Sequence, residues 1–149
     1  MDEGRLFKRP ESVLVVVYTV RSDVLLMRRR RPAAFWQSVT GSMRWDEADP
    51  LVTARREVQE ETGLGGDLAI VDQHILNRFP IKPAWKHRYA PNVRHNLEHV
   101  LSLELAERVP VVLNAHEHSE YVWLARPEAL EKVTSYTNRD AILRFVPVH

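Results

Sequence analysis

At 149 residues the chain suits one domain over 1–149, long enough to bury a real core and too short for two comfortable ones. Its 21 basic and 20 acidic residues leave a formal charge of +1, which argues against a nucleic-acid coat or a polyanion mimic, and the lack of cysteine excludes disulfides and thiolate chemistry. The opening residues, MDEGRLFKRP, lack the apolar core of a signal peptide, and the longest apolar run, 13–18, is too short for a bilayer, so the expectation is a soluble cytoplasmic protein without membrane or nucleic-acid partners.

In chain order, SVLVVVYTV at 12–20 is β-branched and almost wholly apolar, the pattern of a central strand buried on both faces. The turn RSD leads into VLLMR at 24–28, which reads as its hairpin partner or neighbour. WQSVTGS at 36–42 predicts another strand, closing on Gly41. Asp49 followed by Pro50 signals a helix start, and Gly63 suits the left-handed position beyond its end, which brackets a helix over 50–62. LAIVDQHIL at 68–76, EHVLSLEL at 98–105 and EYVWL at 120–124 are further strand candidates. Between the first two, 77–97 carries prolines, aromatics and cations without clear period and reads as a long functional loop. Helices are expected from Pro127 and near Asn138. This alternation predicts an α/β fold, a mixed β-sheet between helices.

The chemistry concentrates on the helix over 50–62. At 3.6 residues per turn Glu57, Glu60 and Glu61 share one edge beside the apolar stripe of Leu51, Ala54 and Val58. Two such charges about 6 Å apart repel by roughly 3 kcal/mol at an effective dielectric near 20, with no cation expected at the same angle. A hard divalent ion would relieve that repulsion and bind phosphate oxygens as well. The plainer alternative is a solvated acidic face paired with Arg55 and Arg56.

Taken with the residues before it, the run reads Gly41, Glu47, then Arg56, Glu57, Val58, Glu60, Glu61, Gly63 and Leu64. It resembles the Nudix box, and the chain is identified on it as similar to the Nudix hydrolases. That resemblance implies the family's α/β/α sandwich and metal-dependent hydrolysis of a phosphoric anhydride. It makes Glu57 and Glu61 principal metal ligands, Glu60 a further ligand or the water-activating base, and Arg56 the residue that holds a glutamate in place. The implied cofactor is Mg2+, with Mn2+ as the alternative. One more residue separates Glu47 from Arg56 than in the family's pattern, so the place of Glu47 stays open.

Outside the box, FKRP at 7–10, FWQSVTGS at 35–42, HRYAP at 87–91, EH at 117–118 and SYTNR at 135–139 resemble the bacterial branch of that family that hydrolyses a pterin triphosphate in folate biosynthesis. The resemblance implies a small-molecule triphosphate substrate touched by Lys8, Arg29, Thr40 and Ser135, with Phe79, Pro80, Ile81 and Lys82 closing over it. It also makes Glu117 a metal ligand from outside the box. Structural roles remain open: Lys8 and Arg29 as solvated cations, Ser135 and Thr40 as caps, Trp36 and Trp123 as core, His87 as loop packing. Nucleoside triphosphates or dinucleoside polyphosphates as substrates, or a nucleotide-binding module without hydrolysis, are the competing functions. Oligomeric state is not legible.

Overall fold

The computed structural model describes residues 7–149; the reading that no leader precedes the fold rests partly on residues 1–6, which lie outside the described residues. Seven strands and three helices follow one another as β1 (Glu11–Thr19), β2 (Asp23–Arg29), β3 (Trp36–Gln37), β4 (Val39–Ser42), α1 (Pro50–Thr62), β5 (Ile70–Pro80), β6 (His95–Leu105), β7 (His118–Ala125), α2 (Arg126–Lys132) and α3 (Tyr136–Phe145).

The valine-rich strand is central, as its composition requires. Along one side β1 pairs in parallel with β6 from Glu11↔Leu97 to Thr19↔Leu105. Along the other it is shared: β4 runs antiparallel against Ser12 to Val15, and β2 meets it near its end at Tyr18↔Val24. The sheet therefore forks beside β1. On the far side of the fork β2 carries β3 and β7, while β5 flanks β6 at the opposite edge.

Alternation along β1 feeds two cores. Val13, Val15 and Val17 pack with Leu25, Met27, Leu101 and Leu103 against Ala54 and Val58 of α1. Leu14, Val16 and Tyr18 pack with Leu26 and Val100 against Ala129, Ala141 and Ile142 of α2 and α3. This is the α/β/α sandwich with a mixed sheet that the sequence predicts. Among the described residues no helix is long and apolar enough to cross a membrane.

Helix α1 has the expected bounds. Asp49 Oδ1 accepts from Leu51 N at 2.9 Å, and Gly63 sits at φ 78° with its N–H on Gln59 O. Elsewhere the boundaries differ. The single strand expected over 36–42 is split at Ser38, whose N–H donates to Asn138 Oδ1 at 2.7 Å and whose Oγ accepts from Asn138 Nδ2 at 2.8 Å. The long loop expected over 77–97 is shorter, because Asn77 to Pro80 and His95 to Glu98 pair across β5 and β6. Pro80 is tolerated there at the strand's last residue. A six-residue 3-10 helix, Pro83–Arg88, fills part of what remains. Helix α3 begins at Tyr136, two residues before the expected Asn138, because Ser135 Oγ caps it by accepting from Asn138 N at 3.3 Å.

Candidate active site

The fork beside β1, the N-terminus of α3 and the 3-10 helix enclose a cleft of about 1430 Å³. One wall is acidic. Gly41, on β4, lies so close to α1 that a side chain there would overlap the carboxyl group of Glu57. Glu57 and Glu61 both line the cleft from α1, and Glu117 reaches it from the turn before β7, where Glu117 N donates to Asn114 O. Thr40 lines the cleft next to Gly41.

Glu61 is fully buried, and neither carboxylate oxygen has a hydrogen-bond partner. Burial pushes its carboxyl well above the ordinary carboxylate range, and the charges of Glu57 and then Glu117 push it further. Glu57 is raised as well, chiefly by burial, with the Arg56 guanidinium pulling the other way. The ring of His118 is close, its Nε2 3.7 Å from Glu61 Oε1, yet it does not neutralise the acid. The amide Nε2 of Gln37 stands 3.1 Å from His118 Nε2 and can only donate, so that ring nitrogen accepts. Burial and then the Arg29 charge hold His118 down to about 4, so at neutral pH the ring is uncharged. Ligand atoms of Glu61, Glu117 and His118 nonetheless lie within 4.8 Å of one another, the spacing of a cation site. His118 escaped the sequence reading as a candidate, although it stands in the EH pair quoted there; a neutral imidazole beside two acids is visible only once the β6–β7 connection is folded back.

The α1 edge is not free of cations, contrary to the sequence expectation. Arg56 Nη1 donates to Glu57 Oε1 at 2.7 Å and reaches Glu60 Oε2 at 3.3 Å. Its Nε and Nη2 donate to the two oxygens of Glu47, each at 2.9 Å, and Nη2 also reaches Ser42 O. Glu47 is buried and accepts in addition from Arg44 N and Thr53 Oγ1. This set, led by Arg56, holds its carboxyl down to about 2. Glu47 is therefore a clamp on Arg56 and does not line the cleft. Glu60, its side chain 44% exposed and also 3.6 Å from Arg44, does not line the cleft either.

The opposite wall is cationic. Lys8 and Arg29 both line the cleft, and burial followed by the Arg88 charge lowers the pKa of each. Lys8 is tied to the 3-10 helix through its N–H to Arg88 O at 2.8 Å. The guanidinium of Arg29 and the ammonium of Lys82 both stand over the rings of Phe35 and Trp85, 5.3 to 5.8 Å from the centroids. Phe79, Pro80 and Ile81 line the same side, and Ser135 lines the cleft while capping α3. His87 is exposed and stands outside.

The orphaned carboxylate of Glu61 beside Glu57 and Glu117 on one wall, and half-buried cations on the other, suit an anion brought in with a divalent ion. The donor set, all carboxylate oxygens with one neutral imidazole at hand, fits a hard or borderline divalent cation. A NUDIX domain model matches residues 8–145. The chain is 39% identical over 97% of its length, and 97% of the relative's, to the Escherichia coli K12 protein named dihydroneopterin triphosphate diphosphatase. The protein of the same name from Haemophilus influenzae is 36% identical over 94% of this chain and 89% of that one. The solved Escherichia coli dihydroneopterin triphosphate pyrophosphohydrolase superposes with a TM-score of 0.86, covering 95% and 97% of the two chains. A Caenorhabditis elegans Ap4A hydrolase, at 17% identity and a TM-score of 0.69, shares the fold over 91% of this chain and 93% of its own.

Proposed function

The chain belongs to the NUDIX domain family, and from that premise we propose that it hydrolyses dihydroneopterin triphosphate to dihydroneopterin monophosphate and pyrophosphate. The observation that carries the chemistry is Glu61, a buried carboxylate without a partner on the wall of an anion-sized cleft. Identity of 36 to 39% over nearly the whole length of proteins with this activity in their names supports the substrate.

Glu57, Glu61 and Glu117 hold the divalent metal, Mg2+ by preference, with His118 beside them. The bound ion supplies charge neutralisation at the phosphate oxygens and lowers the pKa of a bound water. Glu57 is better situated than Glu60 to take the proton of the attacking water, because it lines the cleft and Glu60 does not. The water oxygen bonds to a phosphorus of the α–β anhydride as that phosphorus loses its bond to the bridging oxygen, which leaves with the bonding pair, so that the products are the monophosphate and pyrophosphate. Lys8, Arg29 and Lys82 neutralise the phosphates, with Arg29 able to grip two oxygens at once. Arg56 is a positioning residue: clamped by Glu47, it fixes the Glu57 carboxylate.

Product analysis on dihydroneopterin triphosphate and a nucleoside triphosphate panel, with and without Mg2+, tests the reading. Mg2+-dependent release of pyrophosphate, fastest from the pterin, is expected; equal or faster turnover of deoxynucleoside triphosphates would replace the substrate. Lys8→Ala is expected to raise KM about tenfold, about 1.4 kcal/mol, with little change in kcat, since it removes a phosphate contact made before and during reaction. An unchanged KM would return Lys8 to the protein surface.

A further inference from the structure

A fourth glutamate lines the same cleft, and the hydrolytic chemistry does not use it. Glu98 lies on β6 and is 7% exposed. It shares a strand face with Asn96 and with Val100, which belongs to the core under α2 and α3, so it sits on the side of the sheet away from α1. Among the described residues no cation acts on it. Its carboxyl is raised by burial, and the groups that oppose this are the neutral Thr137 hydroxyl and Asn77 amide, the latter donating to Oε1 at 3.3 Å. Asn96 is fixed beside it, Nδ2 donating to Ser12 Oγ at 2.8 Å.

The position of this acid is set by register. Ser42 of β4, Ser12 of β1 and Glu98 of β6 stand in one row across the sheet. Two strand spacings separate the row's ends, roughly 10 Å. Glu57 lies against Gly41 at the β4 end. A polyphosphate held there with its metal is attracted to that end and repelled by an unpaired carboxylate at the other. What Glu98 can accept is an uncharged group with N–H donors; Glu57 and Glu98 come from opposite faces of the sheet but line the one cleft that opens at the fork, and the ring is the uncharged part of a triphosphate ester that reaches away from its phosphates.

We propose that Glu98 is a specificity-determining residue whose carboxylate accepts the paired N–H groups of the 2-amino-4-oxopyrimidine edge of the substrate's ring. Guanine carries the same pair and adenine does not. Two parallel N–H groups match the lone pairs that Asn77 and Thr137 leave open on the two oxygens of one carboxylate, and a buried acceptor penalises any ring that leaves them unfilled. This inference rests on the proposed function, since it names how that substrate's ring is read.

The test is the ratio of kcat/KM values in Glu98→Gln, which keeps the shape and replaces one acceptor oxygen with a donor. The ratio for dihydroneopterin triphosphate over ATP is expected to fall at least tenfold, mainly through KM, and the ratio for GTP over ATP should fall with it. Equal losses on all three, or none on the pterin, would make Glu98 a brace between β5, β6 and α3 and overturn the proposal. A second measurement needs only the wild-type protein: inhibition by pterin should be at least tenfold stronger than by lumazine, whose 2-oxo group replaces the amino donor, and equal inhibition would overturn it too. Failure of the wild type to hydrolyse dihydroneopterin triphosphate at all would sink the functional reading itself, whereas hydrolysis with undisturbed ratios sinks the role of Glu98 alone.

Discussion

Glu61→Gln is expected to lower kcat by about 10³-fold and, in metal-free protein, to raise the melting temperature. The two effects have one cause. On the proposed role of Glu61 as a metal ligand, loss of its charge removes several kcal/mol of transition-state stabilisation. The same charge is a burden to the empty fold, because Glu61 is fully buried and both of its oxygens lack partners. Removing it should stabilise the metal-free protein by about 1–2 kcal/mol, some 3–6 °C for a chain of this length. A pH dependence follows. The folded-state pKa of Glu61 is raised, so the folded protein binds more protons than the unfolded chain once pH exceeds the ordinary glutamate value. Stability of the metal-free protein should therefore fall as pH rises from about 4.5 towards the raised value, and Glu61→Gln should flatten that slope. Saturating Mg2+ should raise the melting temperature of the wild type and leave that of the variant nearly unchanged. Calorimetry with and without chelator reads all of this; a destabilised metal-free variant with normal turnover would remove Glu61 from the metal site.

Much of this was legible because its signals are local. Asp49, Pro50 and Gly63 bracket α1 through capping geometry that involves only nearby residues, and the helical period then puts Glu57 and Glu61 on one side. The valine run announces a central strand by composition alone. Side-chain reach was less legible. Arg56 stands one turn before Glu60 on the helix, and its length lets one guanidinium touch Glu47 and Glu57 as well. The extra residue before Arg56 left Glu47 ambiguous in sequence, and the fold resolves it through partners from three places: the backbone of Arg44, the Thr53 hydroxyl and Arg56. Sequence reasoning could have found Glu98 by alternation, since it shares parity with Val100 in EHVLSLEL, but parity does not tell which face opens into a cleft. That depends on the fork beside β1, a property of pairings among distant strands.

Gly41→Ala is expected to cost about as much activity as removing Glu57 itself, because the one added methyl occupies the position of that carboxyl group. A Cβ at 41 would overlap the carboxyl carbon and both oxygens of Glu57. The acid has little room to yield. It is buried, Arg56 Nη1 holds Oε1 at 2.7 Å, and Arg56 is held in turn by Glu47. Either Glu57 leaves the wall proposed to hold the metal, lowering kcat by about 10²-fold or more, or β4 moves off α1 and strains the packing of Val39 against Ala54 and Val58 at about 1–3 kcal/mol. A double-mutant cycle separates this clash from a backbone requirement for glycine. In a Glu57→Ala background the obstructing carboxyl is gone, so Gly41→Ala should then cost little stability, a coupling of about 1–3 kcal/mol between the two positions. Equal destabilisation in both backgrounds would mean that Gly41 serves its own strand, and a Gly41→Ala enzyme with wild-type turnover would show that Glu57 can act from elsewhere in the cleft.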